Sequence, residues 1–460
     1  MPGNEDRPRP WLIALTVMAA AVPLIPAALG RTIVDSPATL DIGNQWIGFA
    51  AFVRDCYLAG RFPLWDPHDL CGTPFLAFAH TAALYPPTVL ARLIFSSYPA
   101  SAALDILLHL ELAALAGFFF LRRDGASSPA AFAGAVIYAF SGFVLGNINF
   151  PPSLHGAAWL PVWYAGAFGL LDRPRLGDAA ITTLGLAAMV YGGDLEMAVF
   201  GGLGLVFAIG MKWREAPTGG RELAALAGSV AAGVLLALPQ ALPALELQSR
   251  SVRAGGAYTP EVSPLLLLFT PLTAIFPIPR PASLYPPNHG LDPWYLGALP
   301  VLLLVTALRS PRARRPLWVL PATIGYFFLF YVPPMSRVFS LTPALGSLLV
   351  PFRMQPALWL FLLLAVTRSL DEWSRSETLD PAARLLPGGR VGAAAFLILP
   401  GAGYGIGVWL GLSLLRKERA LRWFLAKLAL LAMAFLFLVG GVLRFGMEAK
   451  PLPFAPRSEE

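Results

Sequence analysis

Apolar residues recur along this chain in long unbroken runs, and the polar residues gather in the gaps between them. About 20 apolar residues suffice to cross a bilayer as a helix. Such runs lie near 11–29, 101–121, 129–147, 157–171, 178–192, 195–211, 222–245, 293–308, 317–333, 355–370, 391–415 and 423–443. They do not alternate apolar with polar, so they predict helices rather than barrel strands. The runs at 157–171 and 178–192 are short and rich in Gly or Pro, which leaves their edges open. The expected fold is an all-α polytopic membrane protein of about 11–12 spans.

Composition agrees with the pattern. Hydrophobic residues make up 56% of the 460 and charged residues only 13%, against roughly 25% in a soluble domain. Mean hydropathy is +0.63. The net charge of +7 does not indicate nucleic acid, because the basic residues sit in short clusters between apolar runs. Cys56 and Cys71 are the only cysteines, which excludes a disulfide scaffold and a Cys-based metal site.

The cations set the orientation. Arg7 and Arg9, Arg122 and Arg123, Arg173 and Arg175, and Lys212, Arg214 and Arg221 fall in alternate short gaps. Arg309, Arg312, Arg314 and Arg315, then Arg368, Arg375, Arg384 and Arg390, continue the series. Cation-rich short loops are cytoplasmic, so the N-terminus is expected inside and loops 30–100, 246–292 and 334–354 outside. Strict alternation would place Arg416, Lys417, Arg419 and Arg422 outside, unless the span breaks around Leu399–Gly403. The expected organisation is a membrane core over 1–370, a cytoplasmic linker over 371–390, and a pair of spans with a short tail over 391–460.

The first outer loop carries the densest chemistry. Asp41-Ile-Gly-Asn-Gln45-Trp46 leads into a predicted interfacial helix from Trp46 to Ala59, whose Ile47, Phe49, Ala50 and Val53 are suited to lie on the membrane. Gly60-Arg-Phe-Pro63-Leu64-Trp65-Asp66-Pro67 follows, then Gly72-Thr-Pro74, His80 and Tyr85-Pro86-Pro87. A loop this long and specific is usually functional.

This run resembles the first extracytoplasmic loop of the YfhO family, bacterial polytopic proteins of the GT-C class of glycosyltransferases. Further matches follow in order: Tyr138-Ala-Phe-Ser-Gly142, Ala158-Trp159-Leu160-Pro161, Gly192-Gly193-Asp194-x-Glu196, Pro239-Gln240 through Glu246 and Ser249–Arg253, and Pro351-Phe352-Arg353-Met-Gln-Pro356. The resemblance spans about residues 10–370 and departs at the C-terminus, where many relatives are longer. It implies a GT-C-like helical bundle in the bacterial inner membrane. The implied activity is inverting transfer of a sugar from a polyprenyl-phosphate donor to an extracytoplasmic glycan, lipid or protein acceptor.

Such chemistry needs a base for the acceptor hydroxyl and positive charge where the phosphate leaves. Asp41, at the position the resemblance gives the key acid, is the first candidate base; its other reading is a solvated cap of the interfacial helix. Asp66 is the second candidate, and its other reading is a turn former. Arg250, Arg253 and Arg353 stand just outside spans as candidate phosphate ligands, against headgroup contact or pairing with Glu246. Arg54, His80 and Gln45 are further candidate substrate contacts. Asp194 and Glu196 form an acidic pair that could ligate Mg²⁺ or Mn²⁺, against a charged hinge between helices. Asp105 and His109, four apart in the second span, share a helix face and read as a structural pair facing the bundle. Two other functions stay open: a lipid or polysaccharide transporter or flippase, and a non-catalytic scaffold relative.

Overall fold

The computed structural model describes residues 45–69, 71–148, 150–215, 219–251, 296, 298–308, 310–319 and 351–375. Asp41, Arg253, residues 376–390 of the linker expected over 371–390, and the spans expected at 11–29, 391–415 and 423–443 lie outside the described residues. The elements are α1 (Ile47–Leu58), α2 (Pro86–Ile94), α3 (Tyr98–Arg123), α4 (Ser128–Ala139), α5 (Gly142–Gly146) and α6 (Pro151–Asp172). After them come α7 (Leu176–Tyr191), α8 (Leu195–Glu215), α9 (Gly220–Arg250), α10 (Ala298–Ala307) and α11 (Gln355–Arg375). Short 3₁₀ turns occupy Phe75–Ala77, Ala79–Thr81, Arg315–Trp318 and Pro351–Met354. The described chain is all-α, without a named strand. By length and composition, α3, Ser128–Gly146, α8 and α9 can each cross a membrane.

The long helices gather around α6. It packs most extensively on α3 and α7, while α9 lies on α7 and α11 joins α4 to α10. The core has aromatic and small residues interleaved, including Phe118, Phe132, Tyr138, Trp163, Tyr164, Phe168 and Phe361. Val234, Leu235, Leu236 and Leu242 on α9 remain exposed, an apolar face suited to lipid.

The bundle has two chemically different ends. At one, the arginine-rich gaps meet. Arg368 of α11 forks onto both carboxylate oxygens of Asp124, at 2.8 Å each, and reaches Glu215 at 2.9 Å. Arg123 pairs with Asp178, and Lys212 with Asp172. Ser310 donates to Glu372. The opposite end carries the first loop, the α5–α6 and α7–α8 turns, and the 3₁₀ turn at Pro351–Met354.

Two expectations are corrected here. The run at 129–147 is not one continuous helix: α4 stops at Ala139, and Ser141 restarts α5 by capping the Val144 N–H. The Tyr-Ala-Phe-Ser-Gly stretch is that break. The apolar face of α1 does not lie on a membrane surface. Trp46, Phe49 and Val53 are buried against Phe75, Ala83 and Val89, because the loop folds back and supplies its own apolar partners. Only Ile47 of the four expected residues is exposed.

Candidate functional site

The first loop is held down by specific turns. Asp66 and Thr73 bridge through their backbones, and the Asp66 carboxylate accepts the His68 N–H at 2.9 Å. Gly72 sits at φ +114°, and a Cβ there would lie 2.7 Å from the Trp65 ring. Tyr57 donates to the Ala83 carbonyl, and Gln240 of α9 donates to that of Leu76. The loop is thereby fastened over the ends of α3, α6 and α9.

Beneath it lies a buried polar network on α2, α3 and α6. Asp105, His109 and His155 are 5%, 1% and 0% exposed. His155 Nε2 stands 2.8 Å from Asp105 Oδ2, and its Nδ1 is 2.9 Å from the Gly192 carbonyl. Thr88 donates to Asp105 Oδ1 at 2.7 Å. His109 Nδ1 faces the Asp105 main-chain carbonyl at 2.7 Å, and Nε2 faces the Tyr85 hydroxyl at 2.7 Å. Trp159 donates to that same hydroxyl. The His109 and His155 rings are tilted by 34° with their centroids 4.1 Å apart. Burial pushes the Tyr85 phenol well above its ordinary pKa, so it stays a proton donor.

The α7–α8 turn joins this network to a second one. Gly193 takes φ +98° and closes the end of α7, as glycines at helix C-termini do. A Cβ there would sit 2.9 Å from the Ala79 carbonyl, so the turn needs glycine for space as well as for φ. Asp194 caps α8 through the Met197 N–H at 2.8 Å. Its Oδ1 also receives Arg353 Nη1 at 3.0 Å, and Glu196 approaches Arg353 Nε at 3.3 Å. Burial would lower the Arg353 pKa, but the two carboxylates override it and raise it. The guanidinium lies over Phe150, whose ring also meets Trp46 and His80.

A cavity of 20 Å³ opens between these parts, lined by Trp46, Thr88, Arg92, Tyr98, Ser101, Ala102, Asp105 and Pro151. That is room for about one water or one ligand oxygen.

The expected site residues divide sharply. Asp194, Glu196 and Arg353 come together, and His80 adjoins them through Phe150. Arg353 pairs with both members of the acidic pair expected to ligate a divalent metal, so its fork faces carboxylates. Asp66 serves the turn. Arg250 is exposed and pairs with Glu246 at 2.7 Å. Arg54 is half-buried on α1, and Gln45 precedes that helix. Cys56 is buried and Cys71 exposed, both as free thiols.

Among the described residues, Asp105, His109 and His155 could hold a metal ion, their ligand atoms lying within 4.8 Å of one another. Both rings turn Nδ1 toward a main-chain carbonyl, the support that metal-ligating histidines usually receive. Two imidazoles and one carboxylate suit Zn²⁺ or a similar transition metal better than Mg²⁺.

Sequence reasoning paired Asp105 with His109 and read His155 apart from them, as a candidate contact to sugar hydroxyls; it lies 50 residues away and meets Asp105 only because α3 crosses α6. Sequence reasoning missed Arg92. The one available signal was a lone arginine inside an apolar nine-residue helix opened by Pro86-Pro87.

No family model and no curated protein matches the chain. Among solved structures, it is similar to the crystal structure of ArnT from Cupriavidus metallidurans bound to undecaprenyl phosphate. The TM-score is 0.48 at 15% identity, covering 93% of this chain and 75% of that one.

Proposed function

We propose that this chain is a membrane glycosyltransferase, moving a sugar from a polyprenyl-phosphate donor to an acceptor hydroxyl on the outer face of a bacterial cytoplasmic membrane. One observation carries the reading. At the end opposite the arginine-rich loops, a specific folded loop covers a cavity whose walls include the Asp105 carboxylate, the Arg92 guanidinium and the Trp46 and Tyr98 side chains. Those are the groups needed to seat a hydroxyl beside a phosphate, and they sit at the end of apolar helices where a lipid-borne donor would arrive. The orientation, with this end outward, follows from the cation asymmetry of the loops.

Asp41 is the proposed base. It stands four residues before Gln45 in sequence, and Trp46 lines the cavity. A carboxylate there takes the acceptor's proton as the oxygen attacks the anomeric carbon, and the phosphate departs with the bonding pair. The phosphate is a weak base, so no acid need protonate it.

The test uses purified full-length protein in nanodiscs with a panel of polyprenyl-phosphate sugars and membrane-extract acceptors. Release of free polyprenyl phosphate, matched by sugar in the acceptor, is the expected result. Asp41→Asn should lower the rate about 10²–10⁴-fold, the usual worth of a general base, with donor binding retained. A wild-type protein that binds donor but transfers nothing would overturn the enzyme reading in favour of transport or scaffolding. An active Asp41→Asn protein would remove Asp41 alone.

A further inference from the structure

Arg92 is a buried cation that forms no ion pair among the described residues. It lies on α2 at 7% exposure, and its Nη1 donates to the Thr81 carbonyl at 2.7 Å. No other hydrogen bond or ion pair engages it among the described residues. A carbonyl satisfies one donor of the five and none of the charge. Burial pulls its pKa below the ordinary guanidinium value, and the nearby Asp105 offsets only part of that, yet arginine stays protonated in proteins. The two other deeply buried arginines among the described residues differ. Arg353 faces Asp194 and Glu196, and Arg368 faces Asp124 and Glu215.

Asp105 lines the same cavity as Arg92, but no ion pair joins the two; its two carboxylate oxygens are taken by Thr88 at 2.7 Å and His155 at 2.8 Å. The guanidinium therefore stands beside a cavity sized for a single oxygen with the Thr81 carbonyl as its hydrogen-bond partner. Tyr98 lines the same cavity, and its hydroxyl has no hydrogen-bond partner among the described residues.

We propose that Arg92, assisted by the Tyr98 hydroxyl, binds an anionic oxygen of a phosphate group. The ligand class is a phosphate monoester or diester; naming the polyprenyl carrier as its source rests on the transferase reading, whereas the anion site does not. The bound oxygen supplies the missing negative charge, and the guanidinium fork favours phosphate geometry.

Full-length protein in phosphatidylcholine nanodiscs is titrated with a polyprenyl phosphate, with the same polyprenol lacking phosphate, and with inorganic phosphate. Thermal shift and native mass spectrometry give the readouts. The phosphorylated lipid is expected to raise Tm and the polyprenol to leave it unchanged. Arg92→Met replaces the unpaired charge by an apolar chain of similar reach. It should weaken the phosphorylated lipid at least tenfold, a loss of about 1.4 kcal/mol, while the ligand-free Tm stays level or rises. Arg92→Lys keeps the charge without the fork and should fall between; it also serves if the Met variant does not fold. An Arg92-dependent shift with inorganic phosphate alone supports the site and assigns it to free phosphate. Wild-type affinity for both phosphates in both variants overturns it, and so does a lower ligand-free Tm in Arg92→Met with lipid affinity intact, which would make Arg92 a brace for Thr81. If the wild type binds the carrier through Arg92 yet releases none from any sugar donor, the transferase reading falls and this site stands.

Discussion

Arg368 and Arg92 sit at opposite ends of the same bundle and answer burial in opposite ways. Arg368 is gripped by a carboxylate fork and a second acid, so α11 is tied at once to the α3–α4 turn and the end of α8. Arg92 has a single neutral partner. The first arrangement closes a structure; the second leaves room for something to be added. The charge of Arg368 is consumed within the protein, while that of Arg92 is held in reserve.

The largest effect expected from this contrast comes from breaking the closed end. Asp124→Asn leaves the Arg368 charge without its bidentate partner, and removing one member of a buried pair typically costs about 3–5 kcal/mol. Equilibrium unfolding in mixed micelles measures it; a loss under about 1 kcal/mol, the worth of a surface pair, would show that the clamp is solvated.

Arg353 offers the intermediate case. Arg353→Met should destabilise by a similar few kcal/mol because Asp194 and Glu196 are left facing each other. Adding Asp194→Asn and Glu196→Gln should recover most of that loss. Additive losses in the triple variant would mean that the three side chains do not act as one unit.

Gly193→Ala should cost about 1–3 kcal/mol, from the left-handed backbone and from contact with the Ala79 carbonyl. The loss is read as a lower unfolding midpoint, together with earlier proteolysis of the first loop. An unchanged midpoint would mean that the turn can rebuild itself.

Arg250→Ala should change stability by less than about 0.5 kcal/mol, because its pair with Glu246 is exposed and one helical turn apart. A drop in polyprenyl-phosphate affinity in that variant would return Arg250 to the list of phosphate ligands and weaken the contrast between the open and closed ends.

Most of the described helices were legible because hydropathy decides them: α3, α6, α7, α8, α9 and α11 all cover the runs read from sequence. The Ser141 break was not, since serine and glycine are tolerated inside membrane helices and only the capping geometry distinguishes the two cases. The apolar stripe on α1 was visible, but a stripe does not say whether lipid or protein covers it. Asp194, Glu196 and Arg353 were each singled out, yet their mutual pairing spans more than 150 residues and depends on how α8 and α11 cross. Arg92 was invisible for the opposite reason. Its neighbours look like interface filler, and its distinguishing feature is the lack of a partner, which no local pattern records.

The α7–α8 turn has a mechanical consequence. Gly192 receives His155, Gly193 abuts the first loop at Ala79, and Asp194 holds Arg353. Three consecutive residues thus touch three different walls, and adjacent Cα atoms are only about 3.8 Å apart. The walls share one linkage, so the site end has few independent ways to deform. A ligand that shifts the histidine pair must also move the loop or the arginine, and the compartment opens or tightens as a single joint.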